Sequence, residues 1–489
     1  MAAFVHETDL VVVGCGIAGL ATAVSALERG ARVAILERAP VEERGGNTRW
    51  TEAYLRMKAE DAVSDDFVAH FAANAGYHLD PALVDATAAD YDNWPSIVKT
   101  LNFTDPEIVD TLAADAPATL AWLKTQGVRF EFLPTFFITS AQPRLLPVGG
   151  GLALIEALAP QAEARAAAFF YETTARRLIQ DGGGAVVGLE AVGAGNRAIE
   201  FRAGAVMLAS GGFEGNPEML AQYLGPQARY LRPVARGGYY NKGEGIRMAM
   251  AIGAAPAGDF GSYHAEPIDP RSPASEAVVA VFNYGILVNR DGRRFVDEAP
   301  ATVDATYDPI TREIWAQPGG VAYCILDAGI DDVPNWRKGL KTDQPPVTAD
   351  TLAGLATQLG IDAETFAATV AAYNAACRPG DFAPLKVDGL ATVGALRPRK
   401  SNWARPLVKP PFRAWPIMSA NVFTYGGLRT DTNGRVVNAD GEAIPGLYAA
   451  GEITGLYYGV YTGATSVLRG AVFGRRAGLH AATHKRANS

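Results

Sequence analysis

Residues 9–38 read DLVVVGCGIAGLATAVSALERGARVAILER, and this stretch determines which fold the sequence predicts. The apolar run at residues 10–13 is typical of a strand buried in a parallel sheet. Residues 18–27 follow a helical period, and Gly30 stands where a helix C-terminal cap is expected. A second strand at residues 33–36 ends in Glu37. The order of strand, glycine turn, helix and strand predicts a βαβ unit at the start of the chain.

The glycine turn at residues 14–19 matches the pattern G-x-G-x-x-G. A strand precedes it, a helix follows it, and Glu37 comes 18 residues after its last glycine, which is the context of a Rossmann-like dinucleotide site. The glycines let the backbone approach a pyrophosphate, and Glu37 accepts the ribose hydroxyls. The competing interpretation is a glycine-rich turn in an ordinary α/β sheet. The predicted cofactor contacts here are Gly14, Gly16, Ile17, Ala18, Gly19, Glu37 and Arg38.

Two later segments also run from an apolar strand into glycine: AGAVMLASGGF at 203–213 and PGLYAAGEITG at 445–455. Strands that end in this way often bring backbone close to a ligand. The stretch at 236–417 differs, because it contains an Asp-Gly turn, an alanine-rich helical run and a proline-rich segment. We therefore expect an α/β, Rossmann-like cofactor-binding domain at 1–235 and 418–489, interrupted by an α+β capping domain at 236–417.

The loop ERGGNTRW at 43–50, together with ASGGF and AAGEITG, resembles the flavoproteins of the fumarate reductase and succinate dehydrogenase family. The resemblance covers nearly the whole chain and implies a GR2-type fold with FAD as the cofactor. The histidine loop that carries covalent flavin in membrane-complex members is not visible, so we expect non-covalent FAD. The family's further cofactor contacts correspond here to Gly45, Gly46, Asn47, Thr48, Ser210, Gly211, Gly212, Gly451, Glu452, Ser466, Val467 and Leu468.

The C-terminal run at 466–480 predicts a helix whose N-terminus, by the same resemblance, faces the pyrimidine edge of the flavin. A helix N-terminus carries about half a positive charge. That charge favours the anionic reduced flavin.

The catalytic residues of fumarate reductases are replaced in this chain. Their His-His-Thr-Met-Gly-Gly run corresponds to VFTYGG at 422–427, their proton-donating Arg to Thr302, and their late His and Arg to Tyr458 and Thr462. Other segments resemble FAD-dependent tricarballylate dehydrogenases, which implies desaturation of a C–C bond next to a carboxylate. Those segments are 263–273, 402–417, 423–429 and 469–478. Against a polyanionic substrate, EAVVAVFNYG at 276–285 is apolar where acid-binding relatives have Thr and Arg.

The run YTGAT at 461–465 is similar, with one residue fewer, to the Tyr-Pro-Gly-Ala-Gly-Ala-Thr loop of 3-ketosteroid dehydrogenases. The resemblance implies that Tyr461 handles the proton or orients a carbonyl, although buried tyrosines often serve only a structural hydrogen bond. His264 lies within one position of a substrate-binding His in fumarate reductases and is expected to contact substrate. Candidate clamps for a substrate carboxylate are Arg144, Arg236 and Arg312. Three functions stay open: carboxylate desaturase, cyclic-ketone dehydrogenase, and flavoprotein subunit for electron transfer.

The composition of the chain excludes several classes of binding partner. A net charge of −8 argues against nucleic-acid binding. The six histidines and three cysteines form no metal-ligand, haem or iron–sulfur spacing, so we expect no metal and a separate electron acceptor, either a protein or O2. Neither a signal peptide nor an apolar run of ~18 residues is visible, which predicts a cytoplasmic protein without a membrane span. The expected substrate is a small carboxylate or ketone.

Overall fold

The computed structural model describes residues 4–74, 93, 95–96, 99, 103–132 and 144–483. In chain order, the helices of these residues are α1 Ile17–Glu28, α2 Phe67–Ala73, α3 Pro106–Thr125, α4 Gly150–Ala164, α5 Pro217–Leu224, α6 Glu244–Met250, α7 Val303–Trp315, α8 Leu352–Leu359, α9 Ala363–Ala376 and α10 Ser466–Ala481. The strands are β1 Phe4–Glu7, β2 Leu10–Val13, β3 Val33–Leu36, β4 Met57–Ala59, β5 Ala62–Val63, β6 Phe130–Phe132, β7 Leu145–Pro147, β8 Ala168–Phe170, β9 Thr174–Gln180, β10 Val186–Gly193, β11 Arg197–Arg202, β12 Ala205–Leu208, β13 Arg232–Pro233, β14 Pro256–Ala257, β15 Tyr263–Ile268, β16 Ile286–Asn289, β17 Val321–Leu326, β18 Val347–Ala349, β19 Phe412–Thr424, β20 Gly427–Leu428, β21 Arg435–Val437 and β22 Ala443–Ala449.

The central sheet has the strand order β21-β22-β12-β2-β3-β8. Strand β2 pairs in parallel with β3 and β12, β12 with β22, and β3 with β8. All four residues of β2 are buried, as the continuous apolar run of a parallel strand requires. Because parallel strands end at one edge, the glycine turn meets the segments that follow β3, β12 and β22. The predicted βαβ unit, and the single sheet built from three separated segments, are confirmed.

Helix α10 packs against α1, and small residues set the distance between the two helices. A Cβ atom on Gly474 would lie 2.4 Å from the backbone oxygen of Ala18, and one on Gly478 would lie 2.3 Å from that of Thr22. The Thr22 hydroxyl donates to the backbone oxygen of Gly474 at 2.9 Å. Glycine is required at this close approach of two backbones. This close packing of the two helices places the N-terminus of α10 beside the N-terminus of α1.

The capping region is built on a second sheet with the order β13-β19-β17-β16, and β15 and β18 also pair with β19. Strand β19 is 13 residues long and continues to the edge of the central sheet, where the Thr424 N–H donates to the Glu452 carboxylate at 3.0 Å. Helix α7 packs across β15 and β19. The domain limit predicted at 417/418 falls inside β19, so one strand joins the two parts of the protein.

A smaller sheet, ordered β1-β11-β10-β9, lies beside β12. Across the ranges that the structure covers, no helix has both the length and the apolar character needed to cross a bilayer.

Candidate cofactor and substrate site

Two glycines of the first turn are required by close packing of the backbone, and the third leaves open space. Gly14 has φ +108°, and a Cβ atom there would lie 2.3 Å from the backbone oxygen of Ala209, while one on Gly19 would lie 2.0 Å from that of Gly14. Gly16 has space instead, since the nearest atom to its Cβ position is 3.5 Å away. Gly14 and Gly19 therefore hold the turn together, and Gly16 leaves room for a ligand at the N-terminus of α1.

Glu37 is buried at the end of β3. Its carboxylate accepts hydrogen bonds from the N–H of Cys15 at 3.0 Å and the N–H of Ala39 at 2.8 Å. Burial raises the pKa of Glu37, and these hydrogen bonds partly oppose the shift. Arg38 points along the cleft wall, where it pairs with Glu244 at 2.6 Å. Both side chains are thus held in place by contacts within the protein.

The loop at 45–48 docks on the start of α1. Gly45 and Gly46 have φ values of +119° and +54°, which glycine adopts without strain. The Thr48 hydroxyl accepts from the N–H of Ile17 at 3.2 Å and so provides the cap that Gly16 lacks. The Gly-Gly-Asn-Thr sequence thus positions Asn47 and Thr48 over the helix end.

A buried group of carboxyls and amides follows this loop. The Glu214 oxygen Oε1 accepts from the Nδ2 atoms of Asn47 and Asn241, both at 2.6 Å, and the same Asn241 nitrogen lies 3.4 Å from Glu452 Oε2. Burial and the neighbouring Glu452 carboxyl raise the pKa of Glu214 well above its usual value. The Glu214 and Glu452 carboxyls share a hydrogen bond, whereas Asn47 Oδ1 is buried without a hydrogen-bond partner. Such atoms mark where a polar ligand would bind.

Asn47, Asn241 and Glu452 from this group line a long cleft, which runs from the first glycine turn past the loop at 45–48 to the start of α10. The predicted contacts that line it are Gly14, Gly16, Ile17, Ala18, Glu37, Arg38, Gly46, Asn47, Thr48, Ser210, Gly211, Gly451, Glu452, Ser466 and Val467. The predicted contacts that pack behind its wall are Gly19, Gly45, Gly212 and Leu468.

The predicted C-terminal helix is observed as α10, and Tyr461 caps its N-terminus. The Tyr461 hydroxyl accepts hydrogen bonds from the N–H groups of Thr465 at 3.0 Å and Ser466 at 3.1 Å, and donates to Ser466 Oγ at 3.0 Å. No side chain of the N-cap residue itself performs this role. The phenol oxygen therefore lies at the positive end of the helix dipole, where negative charge is stabilised.

The other tyrosines of this loop have structural partners. The Tyr457 hydroxyl bonds to Thr465 Oγ1 at 2.7 Å, and the Tyr458 hydroxyl accepts from the N–H of Gly258 at 2.8 Å. Both rings are buried. Tyr457 is thus a close structural counterpart of Tyr461, since each hydroxyl contacts the start of α10.

His264 lies on β15 and faces the same loop. Its Nε2 is 2.7 Å from the Tyr307 hydroxyl on α7, and its Nδ1 is buried without a partner. Burial lowers the pKa of His264 to about 3, and the Arg312 charge adds to the shift. The imidazole ring centroid is 4.6 Å from that of Tyr461 and 5.2 Å from that of Phe423. At neutral pH the imidazole is therefore uncharged.

The three candidate arginines do not converge. Arg236 has 61% of its side chain exposed and pairs with Glu43. Arg312 is held by Asp308 at 2.7 Å and by the Ser262 hydroxyl at 3.0 Å. Arg144 lies near the tyrosine loop, with Nη2 3.8 Å from the Cβ position of Gly463, and its Nε is buried without a partner. Arg144 is therefore the candidate clamp beside the tyrosine loop, where its guanidinium also lies 3.8 Å from Asp304.

Acidic side chains lie nearby on the capping side. Glu266, two residues after His264 on β15, has a buried oxygen without a partner, and burial raises its pKa to about 8. Lys341 lies 2.9 Å from Glu52 and 3.5 Å from Glu276, which itself lines the cleft. This charge distribution is unfavourable for a substrate with several negative charges.

Sequence reasoning missed Tyr307, Glu214 and Asn241. Glu214 follows the Gly-Gly at the end of β12, so its position in GGFEGN is a usable signal. Tyr307 and Asn241 reach the site only through the packing of α7 and of the segment before α6, which no local pattern indicates.

Comparisons with known proteins agree with this geometry. The chain is 29% identical over 499 residues to a fumarate reductase (cytochrome) of Shewanella frigidimarina, covering 99% of this chain and 78% of the relative. It is 28% identical to a vinyl phenol reductase of Lactiplantibacillus plantarum, covering 98% and 97%. The structure of a 3-ketosteroid-Δ4-(5α)-dehydrogenase from Rhodococcus jostii matches with a TM-score of 0.68 and 26% identity, covering 98% and 97%.

A family model described as FAD binding domain matches residues 9–468, which confirms the predicted fold class and cofactor. The chain therefore belongs to the FAD binding domain family and is an FAD-dependent oxidoreductase.

Proposed function

We propose that this oxidoreductase acts on a C–C bond conjugated with a ketone or a phenol ring, in an uncharged substrate. The observation that carries the proposal is the wall beside the cofactor cleft, which is aromatic and has a neutral imidazole. Action on C–C double bonds follows from relatives named as fumarate, vinyl phenol and urocanate reductases. The choice of an uncharged substrate rests on the residues of this chain.

The aromatic wall consists of His264, Tyr307, Phe423, Tyr457 and Tyr461, whose rings pack against one another, and Phe423 is the member that lines the cofactor cleft. The ring centroids of Phe423 and Tyr461 are 5.0 Å apart with an interplanar angle of 83°, and those of Tyr457 and Tyr461 are 5.1 Å apart at 89°. Edge-to-face packing of this kind holds flat apolar surfaces in place. A planar ring system fits such a wall better than a flexible chain of carboxylates does.

A tricarballylate-like substrate is less well supported. Each carboxylate transferred out of water needs a cationic or hydrogen-bonding partner. Arg236 is exposed, Arg312 is engaged by Asp308, and Lys341 is engaged by Glu52 and Glu276. The dehydrogenase from Rhodococcus jostii, whose structure is a complex with 4-androstene-3,17-dione, supports the ketone instead.

Residues of the cleft would hold FAD, with Glu37 toward the ribose, the turn at 14–19 toward the diphosphate, and Asn47 and Glu452 toward the flavin half. When bound, FAD supplies the hydride acceptor or donor. Tyr461 would then exchange the proton at the neighbouring carbon or hydrogen-bond the carbonyl oxygen. Its oxygen is suited to this role because two backbone N–H groups fix its position and its own proton is shared with Ser466 Oγ. His264, neutral and hydrogen-bonded to Tyr307, orients the substrate.

A second candidate substrate is an unsaturated monocarboxylate. Arg144 carries the observation in its favour, because its buried Nε has no partner, its guanidinium lies beside the tyrosine loop, and its ion pair with Asp304 is long, at 3.8 Å. One carboxylate could bind there as a charge-assisted hydrogen-bond acceptor. Arg144→Met would abolish turnover of such an acid but leave turnover of a neutral ketone nearly unchanged.

The test is anaerobic mixing of the FAD-loaded protein with a panel of cyclic ketones, monocarboxylates and tricarboxylates. Bleaching of the flavin absorbance by a ketone supports the proposal. In the opposite direction, dithionite-reduced protein is mixed with a vinylphenol and with unsaturated acids. If acids alone react in either direction, the proposed substrate class is wrong. If no substrate exchanges electrons with the flavin, a role as an electron-transfer subunit replaces it.

A further inference from the structure

Arg469, in the first turn of α10, is a buried cation in the wall of the cofactor cleft. Its residue exposure is 2%, and it lines the cleft together with Ser466, Val467 and Gly470. A guanidinium stays charged at any physiological pH. The wall therefore contains a permanent positive charge in addition to that of the helix N-terminus.

The contacts of this guanidinium include no ion pair, although its charge opposes the burial-driven rise in the pKa of Glu452. Nη1 donates to the backbone oxygen of Thr454 at 2.9 Å, and the guanidinium carbon lies 4.6 Å from the centre of the Tyr457 ring. Nε and Nη2 are buried without a hydrogen-bond partner. Within the described ranges, no carboxylate oxygen lies within 4.0 Å of its nitrogens.

Another buried arginine shows the usual arrangement. Arg294 forms two hydrogen bonds with the Glu298 carboxylate, at 2.8 Å and 2.6 Å, and is balanced by that charge. A buried charge without such a partner is unfavourable unless a ligand compensates it. Arg469 lines both the cofactor cleft and a smaller pocket that contains Thr454. The cleft is the one that the predicted FAD contacts line, so a ligand bound there can compensate the charge.

We propose that Arg469 lies beside the flavin ring of FAD and sets its reduction potential. Its charge stabilises the negative charge that the ring gains on reduction, and so raises the reduction potential of the bound flavin. The oxidised ring carries no such charge, so the effect differs between the two redox states. The diphosphate is the other anionic part of FAD, but its charge is the same in both states. A contact with the diphosphate would therefore change affinity and leave the potential unchanged.

The test compares reduction potentials of the FAD-loaded wild type with those of Arg469→Met, Arg469→Gln and Arg469→Lys. Loss of the charge in the Met and Gln variants is expected to shift the two-electron equilibrium toward oxidised flavin at least tenfold, which is about 30 mV. The Lys variant keeps the charge and should stay within threefold of the wild type. Potentials are measured by equilibration with a reference dye in visible spectra, without substrate.

Arg475→Met is the matched control, since Arg475 is on the same helix but does not line the cleft. Its guanidinium carbon lies 5.6 Å from the centre of the Trp122 ring. Its potential should equal that of the wild type. If the Met variant does not retain FAD, the Gln and Lys pair decides the question. An unchanged potential in the Gln variant overturns the proposal. Equal weakening of oxidised and reduced FAD binding also overturns it, and assigns Arg469 to the diphosphate.

Discussion

Substitution Tyr461→Phe tests the proposed chemistry most directly. The change removes one oxygen, which accepts from the N–H groups of Thr465 and Ser466 and donates to Ser466 Oγ. The ring and its packing against Phe423 and Tyr457 are kept. The variant should therefore fold, bind FAD and bind substrate, but should lose the group that exchanges the proton or polarises the carbonyl.

Two magnitudes follow from these contacts. Losing the cap of α10 should cost about 0.5–2 kcal/mol of stability. Proton transfer by a positioned side chain contributes about 100-fold to 10,000-fold, which is about 2.7–5.4 kcal/mol of activation free energy. The rate of flavin reduction should therefore fall at least about 100-fold, while the change in stability stays small.

The measurement is stopped-flow flavin reduction under anaerobic conditions, at several substrate concentrations, so that binding and chemistry separate. Tyr457→Phe is the matched control, because that hydroxyl contacts the same helix end through Thr465 Oγ1 at 2.7 Å. Its reduction rate should stay within about threefold of the wild type. Equal slowing in both variants would assign the effect to helix capping, and an unchanged rate in Tyr461→Phe would remove Tyr461 from the mechanism.

Three further predictions concern the cofactor turn and two buried titratable groups. Gly16→Ala should fold but bind FAD at least tenfold more weakly, and a fluorescence titration with FAD measures this; normal affinity would contradict the site. Gly14→Ala should instead lower the yield of folded protein, because its Cβ would lie 2.3 Å from the Ala209 oxygen. The folded-state pKa of His264 is about 3, against 6.5 for an ordinary histidine, so between pH 6.5 and pH 3 the unfolded chain binds more protons than the folded chain. The free energy of unfolding therefore falls as the pH drops through this range, by up to ~1.4 kcal/mol per pH unit. His264→Gln should flatten this loss in urea unfolding, and parallel curves for variant and wild type would show that His264 is not buried neutral. For Glu266 the folded-state pKa is about 8 against 4.5, so the folded chain binds more protons and stability falls as pH rises through that window. Glu266→Gln should therefore unfold at higher urea than the wild type at pH 8 and at similar urea at pH 5, and a constant difference would refute the assignment.

The helices and strands that form the cofactor cleft were predicted correctly from the sequence. Strand β3 occupies the predicted residues 33–36, and α1 spans Ile17–Glu28 against a predicted 18–27. These elements follow from local periodicity and from glycines whose conformation or close packing no other residue tolerates. Helix α10 was likewise predicted to within one residue at its end.

The substrate half of the site could not be predicted as well from the sequence, since its residues come together only through tertiary packing. His264 and Tyr307 are 43 residues apart in sequence and come together because α7 crosses β15. Arg144, Arg236 and Arg312 were equivalent in the sequence, and the fold separates them into one residue near the tyrosine loop, one exposed residue and one engaged by Asp308.

The sequence by itself determined the parallel sheet, the dinucleotide turn and the C-terminal helix, because periodicity and glycine geometry are local properties of the chain. The tertiary structure alone decided that the Tyr461 hydroxyl caps α10, that Glu214 and Glu452 share a buried amide, and that Arg469 lacks a carboxylate partner within the described residues. Burial and charge compensation depend on how distant segments dock, and a linear pattern does not carry that information.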